Sequence, residues 1–266
     1  MTGNDSRRLD DPGRIDELRQ RIQAKGALRR WYEEGYERFE ACLERCPPDG
    51  VALELGSGAS FAQERIPELL RSDVLPYEGV DRVVDAMDMP FESGSLRAIV
   101  MQNVFHHIPD VARFLSEARR TLAPGGRILM IEPHVGWLAT PFWRHLHHED
   151  FEPHAPSWEF ASTGPVSGAN GALAWMVFQR DREIFSSRFP ELEVVRYRVH
   201  TPLRYFLMGG LQRWTLLPEW GFGMASACDR FLATTLPSMG SFVDVELVRR
   251  ETPKTSNKRA HEGSPG

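Results

Sequence analysis

Leu53-Glu54-Leu55-Gly56-Ser57-Gly58-Ala59-Ser60 decides how the chain is read. It joins a short apolar run at 51–55 to a segment, 61–70, with the spacing of a short helix. The run reads as a buried strand ending at a glycine. A strand-to-helix turn needs glycine where the backbone bends sharply and where a ligand approaches closely. Outward from this turn, 72–75, 80–84 and 97–103 read as further strands, and 111–122 as an amphipathic helix closed by Ala123-Pro124-Gly125-Gly126. Residues 127–132 form another buried strand. Strands alternating with helices imply a parallel sheet covered on both faces.

Upstream, 14–45 has helical spacing, with Gly26 placed to split it, and Pro47 and Pro48 end it. Downstream of Pro133 the alternation stops. Residues 134–171 and 201–240 are irregular and aromatic, 172–189 reads as a helix, and 192–199 and 241–248 as strands. In 241–248 apolar and polar residues alternate. The polar ends, 1–12 and 250–266, read as disordered. The division expected is a helical segment at 13–50 and a main domain at 51–249. That domain comprises a ligand-binding half (51–133) and cap insertions at 134–171 and 201–240.

Composition narrows the class. The 266 residues carry a net charge of −5, which argues against a general nucleic-acid binder. No apolar run approaches the ~20 residues of a membrane span, and the first residues have no signal-like apolar stretch. A soluble, cytoplasmic protein is the default expectation. The three cysteines, Cys42, Cys46 and Cys228, suggest reduced thiols rather than a disulfide framework or a metal site.

A lone Gly-x-Gly is weak; its acidic neighbour strengthens it. In nucleotide-binding α/β folds a carboxylate at the end of the second strand takes the ribose hydroxyls, ~20 residues past the loop. Asp73 follows Glu54 by nineteen positions (73 − 54). Asp81 competes, but it falls within a strand-like alternation and should face outward.

Three further motifs follow in order: Asp85-Ala86-Met87-Asp88-Met89-Pro90-Phe91, then Val104-Phe105-His106-His107, then Leu122-Ala123-Pro124-Gly125-Gly126 before an apolar strand. With the glycine turn they make the chain resemble the class I methyltransferases of the type-11 group, from about Val51 to Pro133. The resemblance implies an α/β, Rossmann-like, seven-stranded, mostly parallel sheet with helices on both faces, here with an irregular aromatic-rich cap. It implies S-adenosyl-L-methionine as cofactor and methyl transfer as the reaction. Glu54 would hold the amino end of the methionine moiety. Gly56 and Gly58 would let the backbone run against the cofactor, and Asp73 would take the ribose. Asp85 and Ala86 would meet the adenine edge, with Met87 or Phe91 as apolar lining or as plain core. Gln102 would place a backbone carbonyl near the sulfonium side. Two departures stand out: Ser60 replaces the usual third glycine, and the helix between Asp73 and Val80 is almost absent.

His106 and His107 follow the fourth strand, on the ligand side of such a sheet. Either could take a proton from the acceptor as a catalytic base, with His107 preferred, or simply cap the loop. The run His145-Leu146-His147-His148-Glu149-Asp150 reads as solvated or substrate-facing polar residues, with His145 and Glu149 on one face if helical. No metal is expected. Of the seven tryptophans, none lies in 51–133. The later ones would line an acceptor pocket for a small apolar or aromatic molecule, or give the insertions their own core. The apolar character of 203–224 adds a lipid-like acceptor or loose membrane contact as a further reading. Competing functions are a nicotinamide oxidoreductase, disfavoured by the incomplete glycine pattern, and a non-catalytic cofactor- or partner-binding protein.

Overall fold

The apolar segments form strands β1 (Val51–Glu54), β2 (Leu69–Asp73), β3 (Arg82–Val83), β4 (Leu96–Gln102), β5 (Leu122–Pro133), β6 (Leu192–His200) and β7 (Phe242–Arg249). They pair in the order β3-β2-β1-β4-β5-β7-β6. β1 to β5 run parallel, and β7 is antiparallel to both β5 and β6. The strand order reverses between β1 and β4, so a ligand crevice belongs at the carboxyl ends of these two strands. The computed structural model describes residues 13–251 except 147–148, 163 and 165–167. Of the ends read as disordered, 1–12 and 250–266, residues 1–12 and 252–266 lie outside the described residues, while Arg250 N donates to Glu191 O at 2.8 Å.

Helices α1 (Arg14–Ala24) and α2 (Gly26–Leu43) divide at Lys25, beside the expected glycine. Helix α2 lies on the sheet. A Cβ at Gly35 would come 2.4 Å from Gln102 Oε1, so glycine there permits close helix–sheet approach. On the other face α3 (Val111–Thr121) buries Phe114, Leu115 and Ala118. Asp110 caps this helix by accepting from Arg113 N at 2.9 Å, satisfying one of its orphan donors. Phe105, Phe114, Phe178 and Phe185 pack as a chain of tilted and edge-on rings beneath it.

Several expectations are corrected. The helix expected at 61–70 is a single 3-10 turn, Ala62–Glu64. Pro67 denies a longer helix, and Leu69 and Leu70 pair with Ala52 and Leu53 as part of β2. The helix expected at 172–189 is broken into α5 (Leu173–Trp175), a π-turn (Met176–Arg180) and α6 (Arg182–Arg188). Arg180 at the break donates to the carbonyls of Pro153 and Ala155, and Trp158 Nε1 donates to Asp181 Oδ2 at 2.8 Å. The Ala123–Gly126 turn is absorbed into β5, with the register shifting between Leu96 and Ala98. The irregular insertions contain helices: α4 (Ala139–Leu146) in the first, α7 (Arg204–Leu207) and α8 (Phe222–Thr235) in the second.

The alternation in β7 has an unexpected cause. Asp244 and Glu246 are buried, not solvated. Arg45 and Arg127 close on Glu246 at 2.9 and 2.7 Å, while Arg38, Arg198 and His200 close on Asp244 at 3.3, 3.1 and 2.9 Å. Burial pushes the Asp244 carboxyl up, but His200, Arg38 and Arg198 outweigh it and hold it well below the usual range. These pairs attach α2 to β7, and losing one partner would strand a buried charge.

Candidate active site

A cavity of about 1120 Å³ opens at the carboxyl ends of β1, β2 and β4. Its floor is the glycine turn. Gly56 and Gly58 have φ of +66° and +46°, the left-handed region glycine adopts without strain. A Cβ at Gly56 would also lie 2.6 Å from Val104, so β4 enforces glycine there as much as any ligand does. Asp73, ending β2, reaches the same turn. Its Oδ2 accepts from Gly58 N at 2.9 Å and from Tyr77 Oη at 3.2 Å, and its Oδ1 accepts from Leu75 N at 3.1 Å. Tyr77 Oη lies 2.8 Å from Ser57 Oγ, closing the ring of contacts. Asp81 instead faces outward and pairs with Arg71 at 2.8 Å.

Glu54, at the end of β1, is buried, and its Oε2 has no hydrogen-bond partner among the described residues. Burial pushes its carboxyl up to about 7. A buried carboxylate oxygen left unpaired beside a cavity can receive a cation. The side-chain amide of Gln102 is likewise buried with neither atom paired among the described residues. Asp85 and Ala86 line the rim with Met87, and Asp85 Oδ1 accepts from Met87 N at 2.8 Å. Phe91 lies under the Arg82 guanidinium, 4.6 Å from ring centre to Cζ. Ser60, in the third-glycine position, donates to Tyr36 Oη at 3.2 Å, so this position is fastened to α2.

Sequence reasoning missed other parts of the wall. Helix α1 lies over the turn: Ile15, Leu18 and Ile22 line the cavity, and Arg21 and Lys25 donate to the carbonyls of Leu211 and Gly210 at 2.8 and 2.7 Å. Asn103, just after β4, holds φ at +58° in the cavity wall. Asparagine tolerates this region better than most residues, and such strain concentrates at functional sites. The apolar period of α1 signalled burial, but no local pattern signalled what it would cover.

His106 and His107 share a 3-10 turn, Phe105–His107, after β4. Burial pulls the His106 pKa down, but Glu132 and Glu149 outweigh it and raise the imidazole to about 10. Its Nδ1 lies 2.5 Å from Glu132 Oε2 and its Nε2 3.3 Å from Glu149 Oε2. Burial, then the neighbouring His106, pushes His107 down, so it is uncharged near neutrality. Of the two, His107 is the ring able to accept a proton. Glu149 comes from the polar run after α4. That helix ends at Leu146, so the facing of His145 and Glu149 on one helix does not arise. His147 and His148 lie outside the described residues.

The cap lines the cavity with fewer tryptophans than expected. Trp143 and Trp214 line the cavity, together with Phe142, Tyr205 and Phe206. Trp31 and Trp158 are buried, whereas Trp137 and Trp220 are exposed. Phe142 and Phe206 pack at a tilt of 39° with centroids 3.9 Å apart, joining the two insertions.

The strand order, with the glycine turn set against Asp73, is that of a Rossmann-like α/β fold. Residues 53–130 match the family model described as a methyltransferase domain. The chain is similar to tocopherol O-methyltransferase of Arabidopsis thaliana, 35% identical over 68 residues, covering 26% of this chain and 20% of that protein. It is also similar to demethylmenaquinone methyltransferase of Thermus thermophilus, 28% identical over 134 residues, covering 44% and 60%. Both alignments thus span less than two thirds of the relative. Among solved structures it resembles the Haloferax volcanii methyltransferase determined with the Trm112 methyltransferase activator. There the TM-score is 0.50 at 16% identity, over 88% of this chain and 98% of that one, a likeness of fold. Among the described residues no helix is long and apolar enough to cross a membrane.

Proposed function

We propose that this protein transfers a methyl group from S-adenosyl-L-methionine to a small apolar or aromatic acceptor by in-line displacement. The observation that carries the reading is one cavity lined by two unlike sets of residues. Gly56, Gly58, Asp73 and Glu54, with its unpaired Oε2, form one set; Phe142, Trp143, Tyr205 and Phe206 form the other. The cofactor supplies an electrophilic methyl on a sulfonium sulfur, whose transfer demands alignment more than acid–base machinery. In this reading Glu54 binds the methionine ammonium and Asp73 the ribose hydroxyls. Asp85 and Ala86 flank the adenine, and Gln102 directs the sulfonium end. His107 receives the acceptor's proton; His106, held protonated, orients it through Glu149.

The aromatic walls favour an acceptor with a flat or apolar body. The named relatives act, by their names, on tocopherol and demethylmenaquinone, which fits that class. The cap also exposes Leu216, Trp220, Met224 and Phe231, which supports delivery of the acceptor from a lipid surface. The nicotinamide reading is weakened because the third glycine of Gly-x-Gly-x-x-Gly would fall at Phe61, a buried ring.

The test is methyl transfer from labelled S-adenosylmethionine to a panel of prenylated phenols and quinols, set against small amines, with and without vesicles. Label on a phenol or quinol, faster with vesicles, is expected. Label confined to amines would overturn the acceptor class. His107→Ala should slow turnover while leaving S-adenosylhomocysteine affinity unchanged; unchanged turnover would remove it from the mechanism.

A further inference from the structure

We propose that His106, His107 and Glu149 bind one divalent first-row transition-metal cation, of the zinc or cobalt kind, in the cavity wall. One ligand atom from each of the three residues lies within 4.8 Å of the others. His106 Nε2 is 3.3 Å from Glu149 Oε2, and His107 Nε2 is 3.6 Å from Glu149 Oε1. Donors around a tetrahedral ion with bonds of ~2.0–2.1 Å stand about 3.3 Å apart; His106 Nε2 and Glu149 Oε2 already have that spacing, and the third atom must close in from no more than 4.8 Å.

The outer contacts fix which ring nitrogens point inward. Glu132 Oε1 accepts from the amides of Val104 and Phe105, both at 2.9 Å, and Oε2 faces His106 Nδ1. A carboxylate so held is an acceptor, so His106 Nδ1 carries the hydrogen. His107 Nδ1 faces the carbonyl of Gly168 at 3.0 Å, and a carbonyl also only accepts. Both rings are therefore anchored through Nδ1–H and turn Nε2 toward Glu149. Carboxylate or carbonyl support of the outer nitrogen is the pattern by which proteins orient metal-binding histidines.

A cation here would replace the proton on His106 Nε2, and would accept at once that nitrogen, the His107 Nε2 lone pair and a Glu149 oxygen. Two imidazoles and one carboxylate suit zinc, cobalt or iron rather than magnesium, which prefers oxygen. All three residues line the cavity, so a remaining coordination position opens toward its contents. Nothing local in the sequence signals this group, because Glu149 lies forty-two positions (149 − 107) beyond His107.

Cation binding stands without the methyl-donor reading; only the cation's role rests on it. That role is to ligate an acceptor oxygen and lower its pKa, so that the hydroxyl proton leaves to solvent. The oxygen–methyl bond then forms as the sulfur–methyl bond breaks, and the electron pair stays on sulfur. A bound cation thus takes over from the His107 lone pair the task of generating the nucleophile.

The test uses the full chain, stripped with chelator and titrated with cobalt(II) while visible spectra are recorded, and separately with zinc(II) by calorimetry. One cation per chain and an intense low-symmetry cobalt spectrum are expected. Glu149→Gln should weaken binding at least tenfold, and Glu132→Gln, which only orients His106, by about 10- to 100-fold. S-adenosylhomocysteine affinity, measured on every variant, reports whether the fold survives. A wild-type cobalt spectrum matching the free hydrated ion, or wild-type affinity in Glu149→Gln, would overturn the site. No cobalt binding by the wild-type chain, with S-adenosylhomocysteine still bound, sinks the metal alone; the converse in the wild-type chain sinks the methyl-donor reading alone.

Discussion

Glu54 enters the fold as a carboxyl of ordinary pKa 4.5 and is raised to about 7 by burial. The folded state therefore holds this proton more tightly than the unfolded chain. Its contribution favours folding below 4.5 and is lost as pH rises toward 7, a cost of about 3 kcal/mol by linkage. A bound methionine ammonium would reverse the preference. S-adenosylhomocysteine should therefore bind more tightly as pH rises from 5.5 to 7.5, and binding at pH 6 should release a proton. Calorimetry in two buffers of different ionisation enthalpy reads that proton; Glu54→Gln should abolish the release. At Gly56, valine would meet Val104 and force a strained φ. Gly56→Val is expected to lose S-adenosylhomocysteine binding through distortion of the turn as well as lost space; wild-type affinity would show the turn is not the cofactor site. That Glu54, Gly56 and Asp73 meet at one cavity was legible because strand, turn and carboxylate follow a fixed spacing in sequence. Tyr36, Tyr77 and Glu149 were not, because their roles depend on neighbours assembled by the fold.

Helices and strands show where pattern reading fails. Strands β4 and β5 were evident as apolar runs, and α3 as an amphipathic period. Helix α8 was hidden because its solvent face carries Met224 and Phe231, so polar and apolar residues do not separate cleanly around it. What docks the cap is a buried arginine. Arg204 from α7 meets Glu34 of α2 at 2.9 and 2.5 Å, contacts Ser226 of α8, and pairs with Asp229 of α8 at 3.3 Å. Burial raises the Asp229 carboxyl, so this carboxylate needs its partner. Arg204→Ala should cost about 3–5 kcal/mol, as removal of one member of a buried pair does. Thermal unfolding checks this, and Arg204→Lys should recover only part, since it lacks the two-pronged geometry toward Glu34. A change below ~1 kcal/mol would mean the cap is held by its aromatic contacts alone.

Over the whole molecule, the reversal of strand order between β1 and β4 brings distant segments to one crevice. Helix α1, the glycine turn, the His106–His107 turn and both insertions meet there, though they span almost the full described chain. The sheet itself was readable because its core strands are nearly continuous apolar runs. The cap was not, because its helices are fixed by contacts with α2 and with each other rather than by their own periodicity. The account depends on one spatial claim, that the glycine turn, Glu54 and Asp73 form the seat of an adenosyl sulfonium. Calorimetric titration of the full chain with S-adenosylmethionine, S-adenosylhomocysteine and NAD measures that claim most directly. Saturable one-to-one binding of the first two, lost in Gly56→Val, and no binding of NAD is the result expected. Binding of NAD equal to or tighter than that of S-adenosylmethionine would contradict it.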